Sequence, residues 1–317
     1  MARSGSVDFG LTRDGIIRGA VRIVKGLGGK VPEGAQSGQV EFSNAAEALN
    51  MMLKQLQSDG VGLWLNKEII IFPAYRDGKY SLGPTGDHAT LTLVETEIST
   101  AASSSDAALV VDSTAGMTAA DNIGIQLDDG TLQWTDISAG GVVDSTNLNL
   151  DASLTDDAAV DNNVYTYTTI IDRPLVITEA RLYYDAGNEI TLNPLNRDEW
   201  MELSNKETNG TPTSWYYDPQ LDNGIFYLYP RPNEVSYYIK ATARMPIQDF
   251  DAAGNDPDFP QECYRPIKFM LAEEISHEYS GIEHNSYLRL KRKADELYTV
   301  MKSWDAVYGS IFLEHGE

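Results

Sequence analysis

"NIGIQLDDGTLQWTDI", residues 122–137, is the stretch on which the fold turns. Ile123 and Ile125 alternate with polar neighbours on one side of Asp129–Gly130, and Leu132 and Trp134 do so on the other. Asp-Gly suits a tight primed turn, because glycine takes a positive φ at little cost, so the stretch predicts a β-hairpin. Around it, residues 98–166 are rich in Ala, Ser, Thr, Asp and Asn, punctuated by "ALVV" and "NVYTYTTI". These runs predict a small β-sandwich or barrel inserted into a parent domain. Low-complexity disorder is the rival reading, against which stand the regular spacing of the apolar runs and the burial that Ile123, Ile125 and Trp134 require.

Charge marks the same segment. The chain of 317 residues has a net charge of −23, and from Tyr80 to Asp172 it has no Lys or Arg against fifteen Asp and Glu. About two thirds of the net charge therefore lies in under a third of the length, as expected of two modules with different surroundings. An acidic surface is a poor grip for DNA, since it repels the phosphates. The remainder is mildly acidic and carries a basic cluster, "RLKRK", at Arg289–Lys293. One cysteine leaves no internal disulfide framework and no Cys-cluster metal site, which suits a reducing cytoplasm. The first ten residues do not read as a secretory signal, and no run of roughly 18 apolar residues predicts a membrane span.

Outward from the insertion, the ends read as helices and the middle as strands. Residues 1–65 predict two helices. Asp14 is placed to cap the first, with Ile17, Ala20, Val24 and Leu27 on its apolar face and Gly28–Gly29 as its stop. Asn44 and Glu47 have capping-box spacing for the second, whose apolar face runs from Ala45 to Leu56. Residues 66–97 and 167–260 predict a central β region with a heavy aromatic load, which a β core and an interface share. Residues 261–317 predict C-terminal helices. Tyr264, Ile267, Leu271 and Ile275 stripe one helix that Gly281 breaks. Tyr287, Leu290, Ala294, Leu297, Met301, Trp304 and Tyr308 then advance by alternating threes and fours, a heptad-like seam suited to bundle packing. The expected fold class is α+β: a helical bundle from the N- and C-terminal helices, a central β region, and the inserted acidic β module.

No motif predicts catalysis, a metal or a cofactor. "HEYSGIEH" places His277 and His284 seven apart across a glycine, not four apart on one helix as a zincin needs. Cys263 reads as a buried structural thiol. "GLGGK" at Gly26–Lys30 lacks the preceding strand and the Ser/Thr of a phosphate loop, and "DAAGNDPD" at Asp251–Asp258 lacks the alternating ligands of an EF-hand. Adjacent carboxylates such as Asp128–Asp129 and Asp156–Asp157 read as solvated turns, because acid/base work needs two carboxylates facing each other across a cleft. The basic cluster reads as a solvated face or a contact with an acidic neighbour rather than a nucleic-acid site.

Several stretches carry a resemblance to a known family. "RDGIIRGAVRIVKGLG", "NAAEALNMMLKQLQSDGVGLW", "RPLVITEARLYY", "RDEWMELSNKETNGTPTSWYYD", "IFYLYPRPNEVSYYI" and "DFPQECYRPIKFMLAEEISHEYS" resemble the head-to-tail adaptor (tail tubular or tail accessory) proteins of short-tailed bacteriophages. The likeness covers roughly residues 11–97 and 170–300; the acidic insertion departs from shorter members. It implies a structural virion protein at the head–tail junction, assembled in the host bacterial cytoplasm. Copies would form a homo-oligomeric ring, a dodecamer in the family, that docks under the portal protein ring. The ring would receive the tail nozzle and tail fibres and pass genomic DNA without sequence-specific binding. Leu290, Leu297, Met301, Trp304 and Tyr308 of the seam, with Ile311, Phe312 and Leu313 beyond it, are the expected portal or ring contacts. A fibre-like receptor binder is the alternative, and a peptidoglycan hydrolase a more distant one.

Overall fold

A computed structural model describes residues 9–31, 38–184 and 187–304. The chain divides into two units, Met1–Leu65 with Ile247–Glu317, and Asn66–Pro246.

In the first unit, α1 (Arg13–Gly26), α2 (Gly38–Ser58), α4 (Tyr264–Ser276) and α5 (His284–Trp304) surround one apolar core. Ile16, Ile17, Ala20 and Val24 of α1 meet Ile267, Leu271 and Ile275 of α4 there, with Leu49 and Leu53 of α2 and Leu290 and Met301 of α5. Each helix buries one apolar stripe and leaves a mainly polar remainder, the pattern of helices that depend on tertiary packing. Thr12, not Asp14, caps α1: its Oγ1 accepts from the Gly15 amide at 3.4 Å. Asp14 sits in the first turn, where a carboxylate favours the positive end of the helix, and pairs with Arg13 at 3.0 Å. α2 starts at Gly38, six residues ahead of the capping-box position that Asn44 and Glu47 suggested. α4 stops at Ser276, short of Gly281; that glycine, at φ +83°, lies in the turn before α5.

The second unit is β. A five-stranded sheet runs β11 (Asn188–Thr191), β10 (Val176–Tyr184), β15 (Tyr237–Arg244), β1 (Asn66–Ile71) and β3 (Ala89–Thr90). A four-stranded sheet runs β12 (Asn193–Pro194), β13 (Ser214–Asp218), β14 (Gly224–Tyr229) and β2 (Lys79–Leu82). The period-two alternation of a strand sorts their faces. Ile69 and Ile71 of β1 and Tyr237, Ile239 and Ala241 of β15 point into a core shared with Trp215, Phe226 and Leu228 of the smaller sheet. The intervening Ile70 and Tyr238 point the other way, into a separate cluster. A short helix, α3 (Arg197–Glu202), opens on a capping box between Asn196 and Glu199.

The acidic insertion is a closed barrel in the order β4 (Val94–Thr100), β5 (Ala108–Val111), β8 (Asn147–Leu150), β7 (Leu132–Val142), β6 (Asn122–Gln126) and β9 (Asn163–Tyr167). Its interior holds Ile98, Leu109, Val111, Ile123, Ile125, Ile137, Leu148 and Val164. The barrel's entry and exit are hydrogen-bonded neighbours, Glu95 opposite Tyr165 and Thr96 opposite Val164. The hairpin at 122–137 forms, but its connection is longer than a two-residue primed turn. Gln126 pairs with Leu132, and of Asp129 and Gly130 only Gly130 has a positive φ, +83°.

The expected frame is corrected accordingly. The fold is mostly β, with three sheets, one of them closed into a six-stranded barrel; the described residues contain five helices, of six to twenty-one residues, and a helical bundle is not the architecture. Helical periodicity is loud over twenty residues, whereas strands of two to eleven residues each give a faint signal. A sequence reading therefore overweights the ends of this chain.

Candidate functional site

Three places bear on function: the α5 seam, the carboxylates of the barrel, and the joint between barrel and sheet.

The seam folds inward. Leu290, Leu297 and Met301 are buried, and Leu290 and Met301 belong to the core of the first unit. They support the fold and do not offer the exposed portal or ring surface expected of them. The reason is geometric: a heptad-like stripe covers itself with whichever apolar helices are nearest, and here α4 is packed alongside α5 within the same unit. Trp304 ends α5, while Tyr308, Ile311, Phe312 and Leu313 lie outside the described residues.

The barrel's carboxylates are largely engaged in its loops. Asp106, Asp121, Asp129, Asp144, Asp156 and Asp157 each accept from a backbone N–H one to fifty-three residues away, most of them from an amide two or three positions away. Asp128 Oδ1 accepts from the Ala159 amide at 2.9 Å and from Asn162 Nδ2 at 2.8 Å, stapling two loops. Asp144 is the fullest case. It accepts from the amides of Thr146 and Asn147, both at 2.9 Å, and from the Asn147 side chain, and these bonds to its charged form hold its pKa down to about 2. Aspartate is favoured in turns for this bonding, so much of the acidity follows from having many tight loops. Among the described residues no group of His, Cys, Asp and Glu is arranged to hold a metal ion, and no helix is long and apolar enough to cross a membrane.

The joint is aromatic. Phe72, just beyond β1, lies 4.9 Å from Trp134 and 5.3 Å from Tyr165, both of the barrel, between ring centroids. His88, just before β3, stacks on Trp134 with centroids 3.9 Å apart and planes 7° from parallel. Its Nδ1 lies 2.6 Å from the Tyr167 hydroxyl. Burial lowers the His88 pKa, against the opposing pull of Asp87 and Asp136, and burial raises that of Tyr167. The side chain is thus held neutral, able to share one hydrogen bond with the phenol. Gly124, paired with Trp134 across the β6–β7 ladder, gives the indole its seat: a Cβ there would lie 2.7 Å from the ring. Sequence reading named Trp134 as needing burial but had no signal for His88 as its partner, because a single histidine in a polar stretch is silent until the fold closes.

Other singled-out residues have structural surroundings. Cys263 is buried at the start of α4. His277, the residue just after α4, faces Glu273 of that helix at 3.5 Å and Tyr287 of α5 at 3.4 Å. The loop at Asp251–Asp258 receives the start of α1, with the Asn255 carbonyl accepting from the Arg13 amide at 3.0 Å.

One surface feature was not foreseen. Between α2, α4 and α5 lies a groove of about 210 Å³. Its floor is Met52, Leu56, Met270 and Ala294, and its rim is Asp59, Glu273, Glu274 and Asp295. Tyr298 donates to Asp59 at 3.1 Å and Tyr287 to Glu273 at 2.9 Å. No protein-family model matches the chain, and no curated protein matches it.

Proposed function

We propose that the chain is a structural subunit of a head-to-tail adaptor ring in a short-tailed bacteriophage, standing between portal and tail nozzle and extending the DNA channel. The observation that supports this reading most is convergence. The stretches with the family likeness in α1, α2 and α4, which lie at opposite ends of the sequence, pack into one core. A likeness spread over distant segments is better explained by a shared unit than by chance when those segments meet. The barrel is then an elaboration of the β unit, entering and leaving through one rung of a strand ladder, as tolerated insertions do. It is placed by this reading on the outside of the ring, toward nozzle or fibres, since about 70 residues in each of some twelve copies would crowd a passage for duplex DNA.

The test is negative-stain imaging of the purified chain mixed with portal rings of a short-tailed phage. A second ring of density stacked under the portal is expected, and its loss on deleting residues 309–317, which carry Ile311, Phe312 and Leu313, would assign the docking segment. A chain that sediments as a trimer and ignores the portal would instead favour a fibre-like binder. Turnover of peptidoglycan, lost on changing one carboxylate, would favour a hydrolase.

A further inference from the structure

The groove between α2, α4 and α5 has an unusual pairing of surfaces. Its floor is apolar, and two of its rim carboxylates, Glu274 and Asp295, are exposed and have no ion pair or side-chain hydrogen bond among the described residues. A cationic side chain with an apolar stem or neighbour matches that combination. The other side of α5 carries the match. With 3.6 residues per turn, Asp295 and Tyr298 lie on one flank of the buried Leu290–Ala294–Leu297–Met301 stripe, together with Lys291; Arg289, Lys293 and Val300 lie on the opposite flank. Val300 is 57% exposed, a large apolar side chain left open on a charged ridge. Arg289 has no ion pair among the described residues, and Lys293 has only an exposed pair with Glu296 at 2.9 Å, of the kind that contributes little.

We propose that the groove receives this Arg289–Lys293–Val300 ridge from a second copy of the chain. Val300 would meet the methionine floor, and the cations would meet Glu274 and Asp295. Groove and ridge are different surfaces on opposite flanks of one helix, so the contact is head-to-tail and repeats from copy to copy, closing if the rotation between copies closes. It names the contact for the ring reading above and rests on that reading for its purpose, though not for its geometry. Charge argues against the chain's own C-terminal segment as occupant: residues 305–317 hold Asp305, Glu314 and Glu317 and no Lys or Arg, which the rim would repel. Duplex DNA is disfavoured at the groove for the same reason.

The test mixes full-length chain in unlabelled and 15N-labelled forms and treats it with a zero-length carbodiimide, which joins a lysine amine to a carboxylate. Links between one copy's Lys293 and another's Glu274 or Asp295 are expected, identified by mixed isotopes. In Arg289→Glu/Val300→Glu the reactive groups are untouched, so a fall in those links of about tenfold or more reports the lost contact. Asp59→Lys, on the rim, should lower them too. Both variants change exposed positions, and circular dichroism checks their folding. Absence of mixed links, mixed links of Lys293 only to other carboxylates of the second copy, links unchanged in the variants, or residues 305–317 found in the groove would each overturn the proposal. If portal docking persists while the links are absent, the groove contact falls and the adaptor reading stands; if the links are found but docking fails, the reverse holds.

Discussion

At the scale of single residues, the joint between barrel and sheet is where a small change should have the clearest consequence. His88 is held neutral by burial, and its folded pKa lies below the ordinary value. As pH falls, the unfolded chain takes the proton first, so this contribution to stability is complete above about pH 6.5 and declines below it, toward the folded pKa. Thermal melts followed by tryptophan fluorescence should drop between pH 7 and 5 in the native chain. His88→Phe, which keeps a ring against Trp134 but cannot titrate, should show a flatter dependence; identical pH curves would refute a role for His88. Gly124 gives a second prediction. Gly124→Val would drive a side chain into the Trp134 indole, and overpacking of this kind costs about 1–3 kcal/mol. The expected signs are a shifted tryptophan emission and faster proteolysis of the barrel.

At the scale of elements, α5 shows how a helix stripe can be legible and its purpose misread. The threes and fours from Leu290 to Met301 do form one face, and that face is buried. Periodicity says that a stripe needs cover; it does not say whether the cover comes from the same chain. Leu290→Ala should therefore act on folding, by about 2–5 kcal/mol as a core truncation, read from chemical denaturation of the free chain. A variant with unchanged stability but weaker partner binding would return Leu290 to an interface. The same limit explains the helix starts. Thr12 and Asp14 both suit an N-terminus, and only the position of the first turn against the Asn255 loop selects Thr12. In the barrel, Asp129–Gly130 correctly announced a turn, yet the Asp129 carboxylate, by accepting from the Thr131 amide and hydroxyl, settles the longer connection.

At the scale of the molecule, the barrel is closed on itself but leans on its host. Its interior is its own, while Trp134, Tyr165 and Tyr167 share a cluster with Ile70, Phe72 and Tyr238 of the parent sheet. Replacing residues 100–164 with a short Gly/Ser linker keeps the Glu95–Tyr165 rung and should leave the rest of the chain folded. It would also remove Trp134 from Phe72 and His88 and so uncover them, and the product should bind a hydrophobic dye and aggregate more readily than the native chain. Adding Phe72→Ser to the deletion should reduce both effects. Under the adaptor reading the shortened chain still docks on portal rings and loses nozzle or fibre attachment. A shortened chain that does not fold would make the barrel part of the core, and one that attaches normally but fails in DNA ejection would place the barrel in the channel wall.

The sequence by itself determined the local elements: the apolar stripes of α1, α4 and α5, the hairpin at 122–137, and the β character of the acidic insertion. Those follow from side-chain periodicity and turn chemistry, which act over a few residues. Only the tertiary structure decided that the fold is mostly β, that six short strands close into a barrel, that Leu290, Leu297 and Met301 face inward, and that His88 meets Trp134. Each of those depends on contacts between residues far apart in the chain. Strand pairing and burial are satisfied jointly, by whichever surfaces the whole chain brings together, and a local pattern states the need for a partner without naming it.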